Sequence, residues 1–116
     1  MSIIKQDYGE IGGSAKIARG FIASSVPTSI TTTDEATGVA FEPKKLTWIT
    51  IYGGNDTMGG YYDADNSQNT YERYFTSKIT ITLPQTSYTG LKQITSTGFE
   101  LYDTSNFASF YYVAEG

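Results

Sequence analysis

An all-β domain, a single-domain antiparallel β-sandwich of jelly-roll type with an extended N-terminal arm, is what this sequence predicts, and three observations predict it. β-Branched and aromatic residues recur in short runs, clusters of Gly, Asn, Asp, Pro and Ser separate the runs, and helical periodicity is weak throughout. The runs lie about eight to twelve residues apart and make roughly six to eight strands, the spacing of a sandwich or small barrel. A chain of 116 residues is long enough for one such core. It divides here into an arm over residues 1–13 and a sandwich over residues 14–116.

The arm, MSIIKQDYGEIGG, fits neither a helix nor an ordinary strand. Its Ile3, Ile4, Tyr8 and Ile11 are too few and too irregularly spaced to build a core, yet in water they form an exposed apolar patch. A partner surface or a neighbouring subunit would cover them, and strand addition to a sheet edge would satisfy the backbone as well. The alternative is an arm that pairs within its own domain as a first edge strand. Gly9, Gly12 and Gly13 read as a hinge, since a phosphate-cradling loop needs a preceding buried strand and a following helix.

Next, KIARGFIASS and, after the turn TTTDEATG, VAFEP read as an early strand pair, with Gly20 weakening the first or marking a bulge. In KLTWITIYGG, residues 45–54, Leu46, Trp48, Thr50 and Tyr52 fall on one face and Thr47, Ile49 and Ile51 on the other. Both faces are therefore expected to be covered. The glycine-, aspartate- and asparagine-rich connection from Gly53 to about Tyr71 is either a functional loop or a hairpin. As a hairpin it turns at Gly59-Gly60, and DADNSQN makes a second turn before the strand YERYFTS.

SKITITLP alternates Ile79, Ile81 and Leu83 with Thr80 and Thr82, a half-buried strand that Pro84 ends. TGFELYD sets Phe99 and Leu101 against Glu100 and Tyr102. FASFYYVAEG sets Phe107, Tyr111 and Val113 against Phe110 and Tyr112.

Charge and composition narrow the function. The net charge of −4 and eight scattered basic residues argue against nucleic acid, and the one adjacent pair, Lys44 and Lys45, reads as a solvated strand entrance. No apolar run reaches the roughly 20 residues of a spanning helix, and the opening lacks the order of a signal peptide, so no membrane role is expected. With no cysteine and no histidine, thiol and imidazole catalysis and the zinc sites built on those ligands are excluded. Asp63 with Glu72 or Asp65 is the carboxylate pair a glycosidase would need, but nothing in that polar stretch raises a pKa. No catalytic residue and no cofactor are expected.

The run from Asp63 to Asn69 places side-chain oxygens at alternate positions, as a calcium loop does. Gln68 stands where such a loop needs glycine and Tyr74 where it needs a bidentate glutamate, so Asx turns are the reading and no metal is assigned. Tyr52, Tyr61, Tyr62, Tyr71 and Tyr74 with Trp48 make either a platform for sugar rings, with Asn55, Asp56, Asp65 and Asn66 bonding hydroxyls, or ordinary packing. Tyr61, Tyr62, Asp63, Asp65 and Asn66 form the candidate ligand-binding loop. The same tyrosines would serve a protein interface.

The string IIKQDYGEIGG, residues 3–13, resembles the start of small proteins encoded among the structural genes of tailed bacteriophages, particularly those of gut Firmicutes. The resemblance implies a virion component, a head-decoration, head-fibre or tail-associated protein assembled in the host cytoplasm. Its implied partners are other virion proteins or copies of itself in a homo-oligomer. A carbohydrate-binding module that recognises host-surface glycan through the loop around Tyr61 to Asn69 is the second expectation.

Overall fold

The structure, a computed structural model, describes residues 15–66, 68–75, 77–85 and 90–116. The predicted arm, with Ile3, Ile4, Tyr8 and Ile11, lies outside the described residues. Those residues form nine strands and no helix: β1 (Ile17–Ile22), β2 (Ser29–Thr31), β3 (Lys45–Tyr52), β4 (Asp56–Asp63), β5 (Thr70–Tyr74), β6 (Lys78–Thr82), β7 (Leu91–Thr95), β8 (Gly98–Leu101) and β9 (Phe107–Glu115). They make two antiparallel sheets, one of six strands in the order β1-β9-β3-β4-β5-β6 and one of three in the order β2-β8-β7. The first strand pairs with the last and the second with the last but one, the nested winding of a jelly roll. The meander β3-β4-β5-β6 extends the larger sheet on one side.

The core lies between the sheets. From the larger sheet come Leu46, Trp48, Met58, Tyr71, Phe110 and Tyr112; from the smaller come Ile30, Leu91, Phe99 and Leu101. Phe99 joins the two layers, meeting Tyr112 edge-on at 5.4 Å and Phe110 at 6.1 Å between ring centroids. Thr50, buried on the same face, donates its hydroxyl to the Ser109 carbonyl, so its burial leaves no hydroxyl unpaired.

Four expectations are corrected. Ile49 and Ile51 are exposed, because the smaller sheet covers only one face of β3 and no described element crosses the other. Phe107 shares the buried face with Phe110 and Tyr112, not with Tyr111 and Val113; the register slips between Ile51 and Tyr52, so the alternation changes phase after Phe107. VAFEP is no strand. A lone bridge joins Thr33 to Ala40, while β1, regular through Gly20, pairs with β9. The β3–β4 hairpin turns at Gly53–Asn55, and Gly59 and Gly60 sit inside β4. Gly60 opposes Trp48, where a Cβ would come within 2.6 Å of the indole, and a Cβ on Gly59 would stand 2.9 Å from the Trp48 carbonyl oxygen, so the pair allows a close approach of β3 and does not turn the chain.

The TTTDEATG segment is a turn as expected, and it is tied to the edge of β1. The Asp34 carboxylate accepts the Thr37 hydroxyl at 2.8 Å and the Ile17 N–H at 3.1 Å, and the Glu35 N–H donates to the Ile17 carbonyl at 2.8 Å. Arg19 grips the Glu35 carboxylate with two bonds, 2.7 and 3.0 Å. The Thr37 hydroxyl and the Ile17 N–H hold the Asp34 carboxyl below the usual carboxylate range. A folded pKa below the unfolded value of about 3.9 gives a stabilisation present above that value and lost as pH falls through the folded pKa. Thermal melts between about pH 5 and pH 2 are therefore expected to fall less steeply in Asp34→Asn, which starts lower at neutral pH.

Candidate binding face of the larger sheet

The uncovered side of the six-stranded sheet collects the side chains that point away from the core. Cross-strand register fixes their order: Phe21 opposes Tyr111, Tyr111 opposes Ile49, Ile49 opposes Gly59, and Gly59 opposes Tyr74. One step along, Arg19, Val113, Thr47, Tyr61 and Glu72 form a parallel row. Of these, Phe21 is 67% exposed, an unusual degree for a phenylalanine in mid-strand, and Ile49, Tyr74 and Tyr111 each exceed 40%.

The β1–β9–β3 half of the face carries an apolar patch beside Arg19 and Thr47. Phe21, Ile49, Ile51 and Tyr111 frame a shallow groove of about 160 Å³. The β4–β5 half holds two further hollows that share Tyr61. One, about 310 Å³, is a slot over Gly59 walled by Ile49, Tyr61, Tyr74 and Tyr111. The other, about 340 Å³, is a cup lined by Asp63, Asp65, Asn66, Thr70 and Glu72.

Local bonds set the cup's side chains. The Asp65 N–H donates to Asp63 Oδ1 at 2.9 Å and the Gln68 N–H to Asn66 Oδ1 at 3.0 Å, the two Asx turns expected of this stretch. Asn66 Nδ2 donates to the Thr70 hydroxyl at 2.9 Å. Glu72 accepts the Tyr74 hydroxyl and pairs with Lys78 at 3.0 Å. The Tyr74 hydroxyl, and then Lys78, hold the Glu72 carboxyl below the usual range, while Glu72 pushes both the Tyr74 hydroxyl and the Lys78 ammonium up. Among the described residues no three of Asp, Glu, His or Cys are grouped to hold a metal ion.

Of the five ligand-loop residues proposed from sequence, the structure brings Tyr61, Asp63, Asp65 and Asn66 to one hollow and separates Tyr62. Tyr62 is buried in the core, because adjacent residues of a strand face opposite ways and β4 runs straight through both tyrosines. Tyr71 and Trp48 also belong to the core, and burial pushes the Tyr71 hydroxyl up to about 12. Asn55 lies in the β3–β4 turn and Asp56 opens β4, away from the cup. Lys44 and Lys45 stand exposed at the entrance to β3, as a solvated pair does.

Sequence reasoning missed Phe21, Ile49 and Tyr111 as surface residues, since apolar residues in a strand read as core until one knows which face is covered. No known protein family, characterised protein or solved structure matches the chain, which leaves the geometry of this face as the ground for a functional reading.

Proposed function

We propose that the protein is a non-enzymatic assembly component that self-associates through the apolar patch of this face. The observation that carries the reading is the contiguous uncovered patch of Phe21, Ile49, Ile51 and Tyr111, framing a groove on a sheet whose other side faces the core. Such patches on a small domain mark contact surfaces. The virion context comes from the N-terminal string over residues 3–13, with other virion proteins as further partners. The apolar arm residues Ile3, Ile4, Tyr8 and Ile11 are a second contact element in this reading. Tyr74 and Lys78 hold Glu72 ionised, which leaves it unsuited to the proton-bearing acid of a carboxylate pair.

Light scattering across a concentration series tests this on three proteins: the full chain, a chain starting at Ser14, and Phe21→Glu. The full chain is expected to be a defined oligomer and Phe21→Glu a folded monomer, because so exposed a side chain contributes little to the fold. Loss of mass in the shortened chain assigns the arm to the same assembly. A full-length monomer at every concentration overturns the reading.

A further inference from the structure

We propose that the β4–β5 half of the outer face is a binding cleft for a neutral oligosaccharide, with Tyr61 and Tyr74 as stacking rings and the Asp63–Glu72 cup as the hydroxyl-binding subsite. The slot shares Ile49 and Tyr111 with the apolar groove of the assembly reading, so the two surfaces adjoin, and Tyr61, Tyr74 and the cup, which the groove does not include, are what set this proposal apart.

The slot exists because Gly59 leaves no side chain between Ile49 and Tyr74 at their shared cross-strand level. That glycine is also forced, since a Cβ there would stand 2.9 Å from the Trp48 carbonyl oxygen. The result is a gap of about 310 Å³ with a backbone floor and tyrosine walls, within the size range of small-ligand sites. A pyranose presents a flat C–H face that packs on an aromatic ring and an equatorial rim of hydroxyls that bond in the ring plane. The slot offers the first partner and the cup, continuous with it through Tyr61, offers the second.

The cup's chemistry selects among ligands. Its polar groups are mainly acceptors: the carboxylates of Asp63, Asp65 and Glu72 and the Asn66 amide oxygen. Sugar hydroxyls donate to such oxygens, whereas the carbonyls of a peptide would find few donors. Asp63, Asn66 and Glu72 are already oriented by the bonds from the Asp65 N–H, the Gln68 N–H and Tyr74, so little side-chain freedom is lost on binding. Each ionised carboxylate keeps lone pairs for a hydroxyl. Among the described residues lining the cup none is basic, and the nearby Lys78 ammonium is already paired with Glu72; with a net charge of −4 on the chain, uronic acids and phosphate-bearing polymers are disfavoured.

The test is amide chemical-shift titration of the full chain with tetrasaccharides of β-1,4-glucose, α-1,4-glucose, β-1,4-mannose and β-1,4-N-acetylglucosamine, with tetragalacturonate as the anionic comparator. Expected are saturable shifts at Tyr61, Glu72 and Tyr74 from at least one neutral tetrasaccharide, with a dissociation constant of about 1 mM or tighter, and none from tetragalacturonate. Tyr74→Ala should weaken binding roughly tenfold with its melting curve retained, since that ring lies at the surface. Phe21→Glu should not weaken binding, since Phe21 lines neither the slot nor the cup, which separates this proposal from the assembly reading. The proposal fails if no neutral tetrasaccharide shifts these residues at about 10 mM, if tetragalacturonate binds as well, or if binding survives both Tyr61→Ala and Tyr74→Ala.

Discussion

Trp48→Ala is expected to remove about 3 to 5 kcal/mol of stability, a large share of what a domain this size possesses. The indole is 1% exposed and stacks on Phe110 at 5.8 Å and on Phe107 at 6.5 Å, while those two rings stack on each other at 6.0 Å with planes 3° apart. The space it fills is bounded by backbone: a Cβ on Gly60 would lie 2.6 Å from the indole, and one on Gly90 3.3 Å. Hydrogen-bonded strands cannot close around the gap, so the cavity persists and its cost adds to the lost burial. Trp48→Phe keeps an aromatic ring in the stack and removes an indole N–H that has no acceptor among the described residues, so it should cost clearly less. Urea unfolding followed by circular dichroism measures both. A loss below about 1 kcal/mol for the alanine variant would mean the rings do not form one core.

Gly98→Ala is the second large effect, and it adds a single methyl group. A Cβ at position 98 would stand 2.0 Å from the Ile30 carbonyl oxygen and 2.9 Å from Thr31 Cα. Both are backbone atoms of β2, which pairs with β8 over only three residues and has no other partner strand among the described residues. No rotamer change relieves the contact, so β2 must shift or detach, and Ile30 leaves the core with it. About 3 kcal/mol or more of destabilisation follows, a fall in melting temperature of roughly 12 °C or more. Gly54→Ala is the control: nothing lies within 4 Å of its Cβ position, and the melting point should barely move. Equal melting points for the two variants would exclude the close approach of β2 to β8.

The parts of this fold that were legible in the sequence are those in which a strand is long and regular. β3 and β6 show their alternation directly: of the inward set, Leu46, Trp48, Ile81 and Leu83 are buried as the pattern requires, and Ile79 is half-buried. Short or interrupted strands gave no such signal. β2 has three residues, and β7 slips register between Leu91 and Gln93, which places its two apolar residues, Leu91 and Ile94, three apart. β4 was hidden for a different reason, because Gly59-Gly60 is a turn sequence by local chemistry and a strand sequence only when Trp48 lies across it. The candidate site was half legible. The Asx-rich run announced the cup through its local bonds, whereas the slot depends on pairing Ile49, Gly59 and Tyr74 from three strands, and a single sequence does not show which strands are neighbours.

The segment from Asp34 to Glu35 laid along β1 has a further consequence. Open sheet edges are where chains polymerise into fibres, each new strand extending the hydrogen-bond ladder of the last. At Ile17 both ladder groups are already engaged by Asp34 and Glu35, and the Arg19–Glu35 fork clamps the segment in place. An incoming strand would have to strip four bonds from the first half of β1 before making its own. The turn thus acts as a stopper that keeps the ladder from growing at the end of β1 nearest Ile17.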